Sequence, residues 1–161
     1  MKNEKVIEQI CNTWKYQRKI LNDFLDCIPA DKWLYSHHQK VATLDKQFRH
    51  MVWVYGAYID AIENRKIDLT KKKTFYDGTL ERDQIRKAFE GMDSKFFCLM
   101  DQLKSEDLDN FQIDFFGQEM GLIEFSHVMV QHDSVHMGIW ANGAYFGGFQ
   151  TPKSWQDDWG L

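Results

Sequence analysis

Residues 121–140 read GLIEFSHVMVQHDSVHMGIW. Leu122, Phe125, Met129, His132, His136 and Ile139 recur at three- and four-residue steps, which predicts a helix from near Gly121 to about Tyr145 with these side chains on one side. At about 100° per residue, His132 and His136 stand only about 40° apart, so one metal ion can be held by both. Burying an imidazole without a partner costs about 1–3 kcal/mol, and two on one apolar face require an explanation.

Three further segments carry the same period. In the first, Ile7, Ile10, Trp14, Leu21, Phe24 and Ile28 form a stripe interrupted by Gln17, and Pro29 closes the helix. The second runs from about Thr43 to Glu63 and is apolar around more than half its circumference, as expected of a helix buried against several neighbours. The third begins after Asp77-Gly78-Thr79 and presents Ile85, Phe89, Met92, Phe96, Leu99 and Leu103. Long connections separate the first from the second and the second from the third. Phe111 to Gly117 alternates with period two and predicts a short strand or extended arm. After Gly147-Gly148 and Pro152, Ser154 to Trp159 predicts a short cap that lays two tryptophans on the end of the bundle. The expected architecture is all-α: a four-helix bundle with long inter-helix connections and a short C-terminal cap, in one domain over residues 1–161.

Composition narrows the function. The chain has 161 residues, 43% of them hydrophobic and 15% aromatic, which excludes disorder and suits a single core. The net charge is -4 with both signs interspersed. The densest basic run, Lys71-Lys72-Lys73, reads as a solvated loop, so no nucleic-acid partner is expected. No stretch has the length of a membrane span, and the N-terminus is too polar for a signal peptide, which leads to the expectation of a cytoplasmic protein. Cys11, Cys27 and Cys98 are odd in number, widely spaced and without a CxxC. They predict neither a disulfide framework nor a cysteine zinc site, and are read as small buried thiols.

Of the six histidines, His37 and His38 fall in a polar loop and are left out of the site. His127 lies about 180° from His136 and about 140° from His132, too far round the helix for the same ligand shell. His50 is the third candidate. It lies on the line through Val54, Ala57 and Ala61, where small side chains allow a close helix approach or leave a cavity. His50, His132 and His136 would make a three-imidazole site with an open coordination position. Three imidazoles suit zinc, nickel or ferrous iron; calcium and magnesium fail for want of clustered carboxylates. A zincin would need HExxH, and Asp133 follows His132 instead. A di-iron bundle needs two Glu-x-x-His motifs, whereas only Glu124 to His127 has that spacing, and Gln47 precedes His50.

The chain resembles the DinB/YfiT-like superfamily of four-helix proteins. The resemblance rests on Phe48-Arg49-His50, on Gln131-His132-Asp133-Ser134-Val135-His136-Met137-Gly138-Ile139-Trp140, and on Gly147 to Pro152, with Thr151 to Trp155 and Trp159-Gly160-Leu161 similar to one branch. It implies that His50, His132 and His136 are a metal triad for a divalent ion, often zinc or nickel, and that the protein is a homodimer. Met137 and Ile139 stand where the family often has arginine and glutamine, so a substrate contact by either is not carried over. Relatives include transferases and isomerases that use bacillithiol, mycothiol or glutathione.

The leading functional expectation is a metal-dependent thiol S-transferase, taking a small thiol such as bacillithiol and a small electrophile, with Trp53, Tyr55 and Trp140 as pocket aromatics that core packing explains equally well. Its competitors are a metal-dependent hydrolase at the same histidines and a non-catalytic, metal-binding, stress-related dimeric bundle; a bundle without metal is the simplest alternative. A carboxylate within reach of the open metal position would favour hydrolysis, and its absence would favour thiol chemistry. Asp133 and Glu124 are the carboxylates nearest in sequence.

Overall fold

The computed structural model describes residues 2–70, 81–103 and 105–161. Its helices are α1 (Lys2–Cys27), α2 (Leu44–Asn64), α3 (Arg82–Gln102), α4 (Leu122–Gly147) and a short α5 (Lys153–Trp159). The expected all-α bundle is present. α1 packs on α3 and α4, and α2 packs on the same two, so the four long helices close in the order α1–α3–α2–α4. No helix among the described residues is long and apolar enough to cross a membrane.

The helix ends follow local chemistry. Pro29 stands just beyond α1, and Thr43 and Gly121 occupy the N-cap positions of α2 and α4. The Glu124 side chain accepts a hydrogen bond from the Gly121 backbone N–H, satisfying one of the donors a helix start leaves unpaired. α4 stops where Gly148 takes a left-handed conformation (φ 72°), which glycine adopts without a Cβ penalty. The lysine run at residues 71–73 and the turn at 77–79 lie outside the described residues.

Two local expectations change. The predicted strand at Phe111–Gly117 is the first half of a hairpin, β1 (Ile113–Phe115) paired antiparallel with β2 (Gln118–Met120). Phe116 and Gly117, both at positive φ, form the two-residue turn that suits the right-handed twist of paired strands. The second strand escaped notice because Gln118-Glu119-Met120 lies on the surface and carries no apolar alternation. The hairpin is tied to the end of α2: Asp114 N–H donates to the Arg65 carbonyl, Ile67 N–H to that of Asp114, and Lys66 pairs with the Asp114 carboxylate at 2.9 Å. At the C-terminus, α5 buries Trp155 against Phe24, whereas Trp159 remains 41% exposed. One tryptophan, not two, seals the bundle end.

The core is aromatic and its rings lie between helices. Phe24 stacks on Trp140 at 5.3 Å and on Trp155 at 5.0 Å, and Trp140 stacks on Phe48 at 4.6 Å, so one column joins α1, α2, α4 and α5. A second group is polar. Arg18, predicted by no apolar pattern, is buried on α1; its Nε donates to both Asp93 oxygens, and its guanidinium lies 4.0 Å from the Phe89 ring centre and 4.5 Å from that of Tyr55. Trp14 Nε1 donates to the same carboxylate. A buried charge is tolerated where it is both paired and stacked on π faces. The cysteine expectation fails at one position: Cys98 is exposed, while Cys11 and Cys27 are half-buried.

Phe24→Ala removes the shared ring of the column. It is expected to cost about 3–5 kcal/mol in denaturant unfolding, as for other large-to-small aromatic changes in cores, and to loosen α5, seen as increased Trp155 fluorescence quenching.

Candidate metal centre

The geometry of the site is set by the seam between α2 and α4. Phe48 meets Trp140, Tyr55 meets Asp133, and Tyr58 meets Phe125, so contacts descend along α4 as they climb along α2. The helices are therefore antiparallel. Val54, Ala57 and Ala61, on the line of His50, are all buried. His50 consequently falls opposite the turn of α4 that carries His132 and His136.

The three histidines meet. One ligand nitrogen from each lies within 4.8 Å of the others, and His50 Nε2 is 3.1 Å from His132 Nε2. Ring centres are 5.3 Å apart for His50 and His132, 5.1 Å for His50 and His136, and 4.7 Å for His132 and His136. Each ring is partly buried, with Trp53 beside His50 and the edge of Tyr58 against His132. His127 is exposed on the other side of α4, as its helical angle required. His37 lies against Phe146, and His38 Nδ1 accepts from the Lys40 backbone N–H; neither joins the group.

The electrostatics keep the site in the form a metal requires. Burial, reinforced by His132 and then His50, lowers the His136 pKa to about 4. Burial and then His132 lower that of His50. Both imidazoles are thus neutral at pH 7, with lone pairs available for a cation. Nδ1 of His132 and Nδ1 of His136 are buried and lack a hydrogen-bond partner within the protein. Donor type, number and proximity fit one divalent ion of the zinc, nickel or ferrous class.

Asp133 occupies an unexpected place. The stripe through Leu122, Phe125 and Met129 continues into the core as Asp133, Met137, Trp140 and Ala144, with the histidines along its flank. Asp133 is 1% exposed, and its Oδ2 accepts a hydrogen bond from the Tyr55 hydroxyl. The sequence marks Asp133 only as a carboxylate close to His132; the structure makes it a core residue outside the histidine group. Its adjacency to His132 was the available signal. Met137 is also buried and faces the core; Ile139 is partly exposed on α4. Of the pocket aromatics, Tyr55 and Trp140 are wholly committed to packing, and only Trp53 borders the histidines with surface to spare. A groove of about 660 Å³ between α4 and the C-terminus is lined by Gly138, Ala141, Asn142 and Tyr145, on the side of α4 turned away from His136.

The family model of the DinB family matches residues 1–141. The chain belongs to the DinB family. A crystal structure of a DinB-like protein, YjoA from Bacillus subtilis, superposes with a TM-score of 0.63 at 18% identity, covering 86% of this chain and 92% of that one. At that identity the likeness is one of fold. No curated protein matches this chain.

Metal analysis should find stoichiometric metal in the wild type and none in His50→Ala or His132→Ala; retention in both variants would return these residues to the core. Protonation supplies a second check. In the unfolded chain a histidine takes its proton near 6.5, but folded His136 takes it only near about 4. Between those values the unfolded state binds more protons, so this contribution to stability is complete above 6.5 and is lost as the pH falls towards 4. Chelator-treated wild type should therefore lose more thermal stability between pH 7 and 4 than His136→Gln does.

Proposed function

We propose that this chain binds one divalent metal ion through His50, His132 and His136 and uses it as a thiol S-transferase acting on small electrophiles. The observation that carries the reading is the convergence of three imidazoles from two helices, with all three ligand nitrogens within 4.8 Å of one another. When bound, such an ion supplies a positive charge that favours the thiolate form of a small thiol. The thiolate sulfur would then attack an electrophilic carbon and displace its leaving group.

Two features support thiol chemistry over hydrolysis. Among the described residues the ligand group contains no carboxylate, and Asp133 is turned into the core against Tyr55, where it cannot serve as a base for water at the open side. The protein's own thiols are also poorly placed. Cys11 and Cys27 on α1 and Cys98 on α3 stand outside the histidine group; burial pushes the Cys27 thiol up to about 11 and that of Cys11 in the same direction. The nucleophilic sulfur would therefore come from a small cosubstrate such as bacillithiol. Trp53, beside His50 and partly exposed, is the aromatic surface available to an electrophile.

Zinc- or nickel-loaded protein should conjugate bacillithiol or a related thiol to a model electrophile such as a haloarene, and chelation or His50→Ala should reduce turnover to the uncatalysed rate. Fully loaded protein that is inactive with bacillithiol, mycothiol and glutathione across a broad electrophile panel would remove the transferase reading and leave the metal site.

A further inference from the structure

A neutral imidazole offers a lone pair only on the ring nitrogen that lacks the proton. For His132 to present Nε2, the nitrogen that faces His50, its Nδ1 must carry the hydrogen. That Nδ1 is buried and without a hydrogen-bond partner. Asp133 Oδ1 lies 3.8 Å away, and it too is buried without a hydrogen-bond partner. The other oxygen of the carboxylate is engaged by the Tyr55 hydroxyl, which burial and the neighbouring Asp133 keep protonated by raising its pKa well above the usual value. One orphaned donor position, on the ring that carries the ligand nitrogen, and one orphaned acceptor thus lie 3.8 Å apart.

We propose that Asp133 is a positioning residue of the metal centre: it accepts the Nδ1–H of His132, fixing the tautomer that leaves Nε2 free for the ion, while Tyr55 holds the carboxylate in place. This assignment rests on the metal-binding reading above. The 3.8 Å separation exceeds a hydrogen bond by about 1 Å, so the bond requires the His132 ring to turn towards the carboxylate when the ion binds. The arrangement gives a role to a carboxylate at the centre of an apolar seam. Left without a role, Asp133 would be a buried polar group with only half its capacity used, a costly feature to keep.

The test compares zinc affinity, by competition with a chromogenic chelator, in the wild type, Asp133→Asn and Tyr55→Phe. Asparagine keeps the shape and can still accept from Tyr55, but it then turns its NH2 towards His132 and favours the opposite tautomer, with the proton on the ligand nitrogen. Asp133→Asn is expected to bind zinc about 10- to 100-fold more weakly, the usual loss when a ligand histidine loses its orienting carboxylate; Tyr55→Phe should lose affinity less. In NMR spectra of the zinc-loaded wild type, the Nδ1 proton of His132 should be shifted downfield and protected from solvent exchange by its bond to the Asp133 carboxylate, a signature that a purely structural role would not require. Affinities within twofold of wild type in both variants, or a His132 Nδ1 proton that exchanges freely and shows no downfield shift, would overturn the assignment. Should Asp133→Asn fail to fold, Tyr55→Phe and the wild-type spectrum carry the decision. A wild type that binds no zinc overturns the metal reading itself, and this assignment with it.

Discussion

The hydrogen bond from Tyr55 to Asp133 lies at the middle of the α2–α4 seam, and the histidine site depends on it. It is a buried polar contact within a line of ring contacts running from Phe48–Trp140 to Tyr58–Phe125, with the His50–His132 contact at the seam's edge. Apolar packing is tolerant of small slips, because one methylene resembles another. A buried hydroxyl and carboxylate are not, since each loses its partner if the helices slide by a turn. The pair therefore holds the register that sets His50 opposite His132 and His136.

A second polar anchor, Arg18 with Asp93 and Trp14, ties α1 to α3 in a similar way. Its guanidinium also lies over the rings of Tyr55 and Phe89. Tyr55 is thus shared: its hydroxyl serves the seam that carries the site, and its face serves the buried arginine on the opposite wall. Two buried polar groups, Arg18 and Asp133, join helices, and the imidazoles lie at the edge of the seam. That edge position combines partial burial, which lowers the basicity of His50 and His136, with partial exposure to solvent. A fully buried trio would have neutral rings but no route for a ligand, and a fully exposed trio would have neither fixed spacing nor a depressed pKa.

The helices were legible in the sequence because each long one carries a regular apolar stripe and an identifiable stop, such as Pro29 after α1 or Gly148 after α4. The metal candidates were legible for a related reason. His132 and His136 are neighbours on any helix, and His50 sits on a line of small residues suited to close approach. What escaped was of another kind. Nothing in a periodic pattern marks β2, whose residues face solvent, or Arg18, whose neighbours are polar and whose partners lie on another helix. The stripe of α4 was drawn through His132 and His136, although its buried continuation runs through Asp133 and Met137. A helical wheel assigns angles from the residues it is told are apolar, and a buried aspartate is not among them.

By itself, the sequence determined the all-α class, the placement of four long helices, and the proximity of His132 to His136, because these depend on short-range spacing along one chain segment. Tertiary structure alone decided that α2 runs antiparallel to α4 in the register that adds His50 to the pair. It also decided that Asp133 turns inward to Tyr55 while its neighbour His132 stays at the seam's edge. The physical reason is that helical periodicity fixes angles about one axis, whereas the meeting of two axes depends on which side chains across the seam can share a burial and a hydrogen bond.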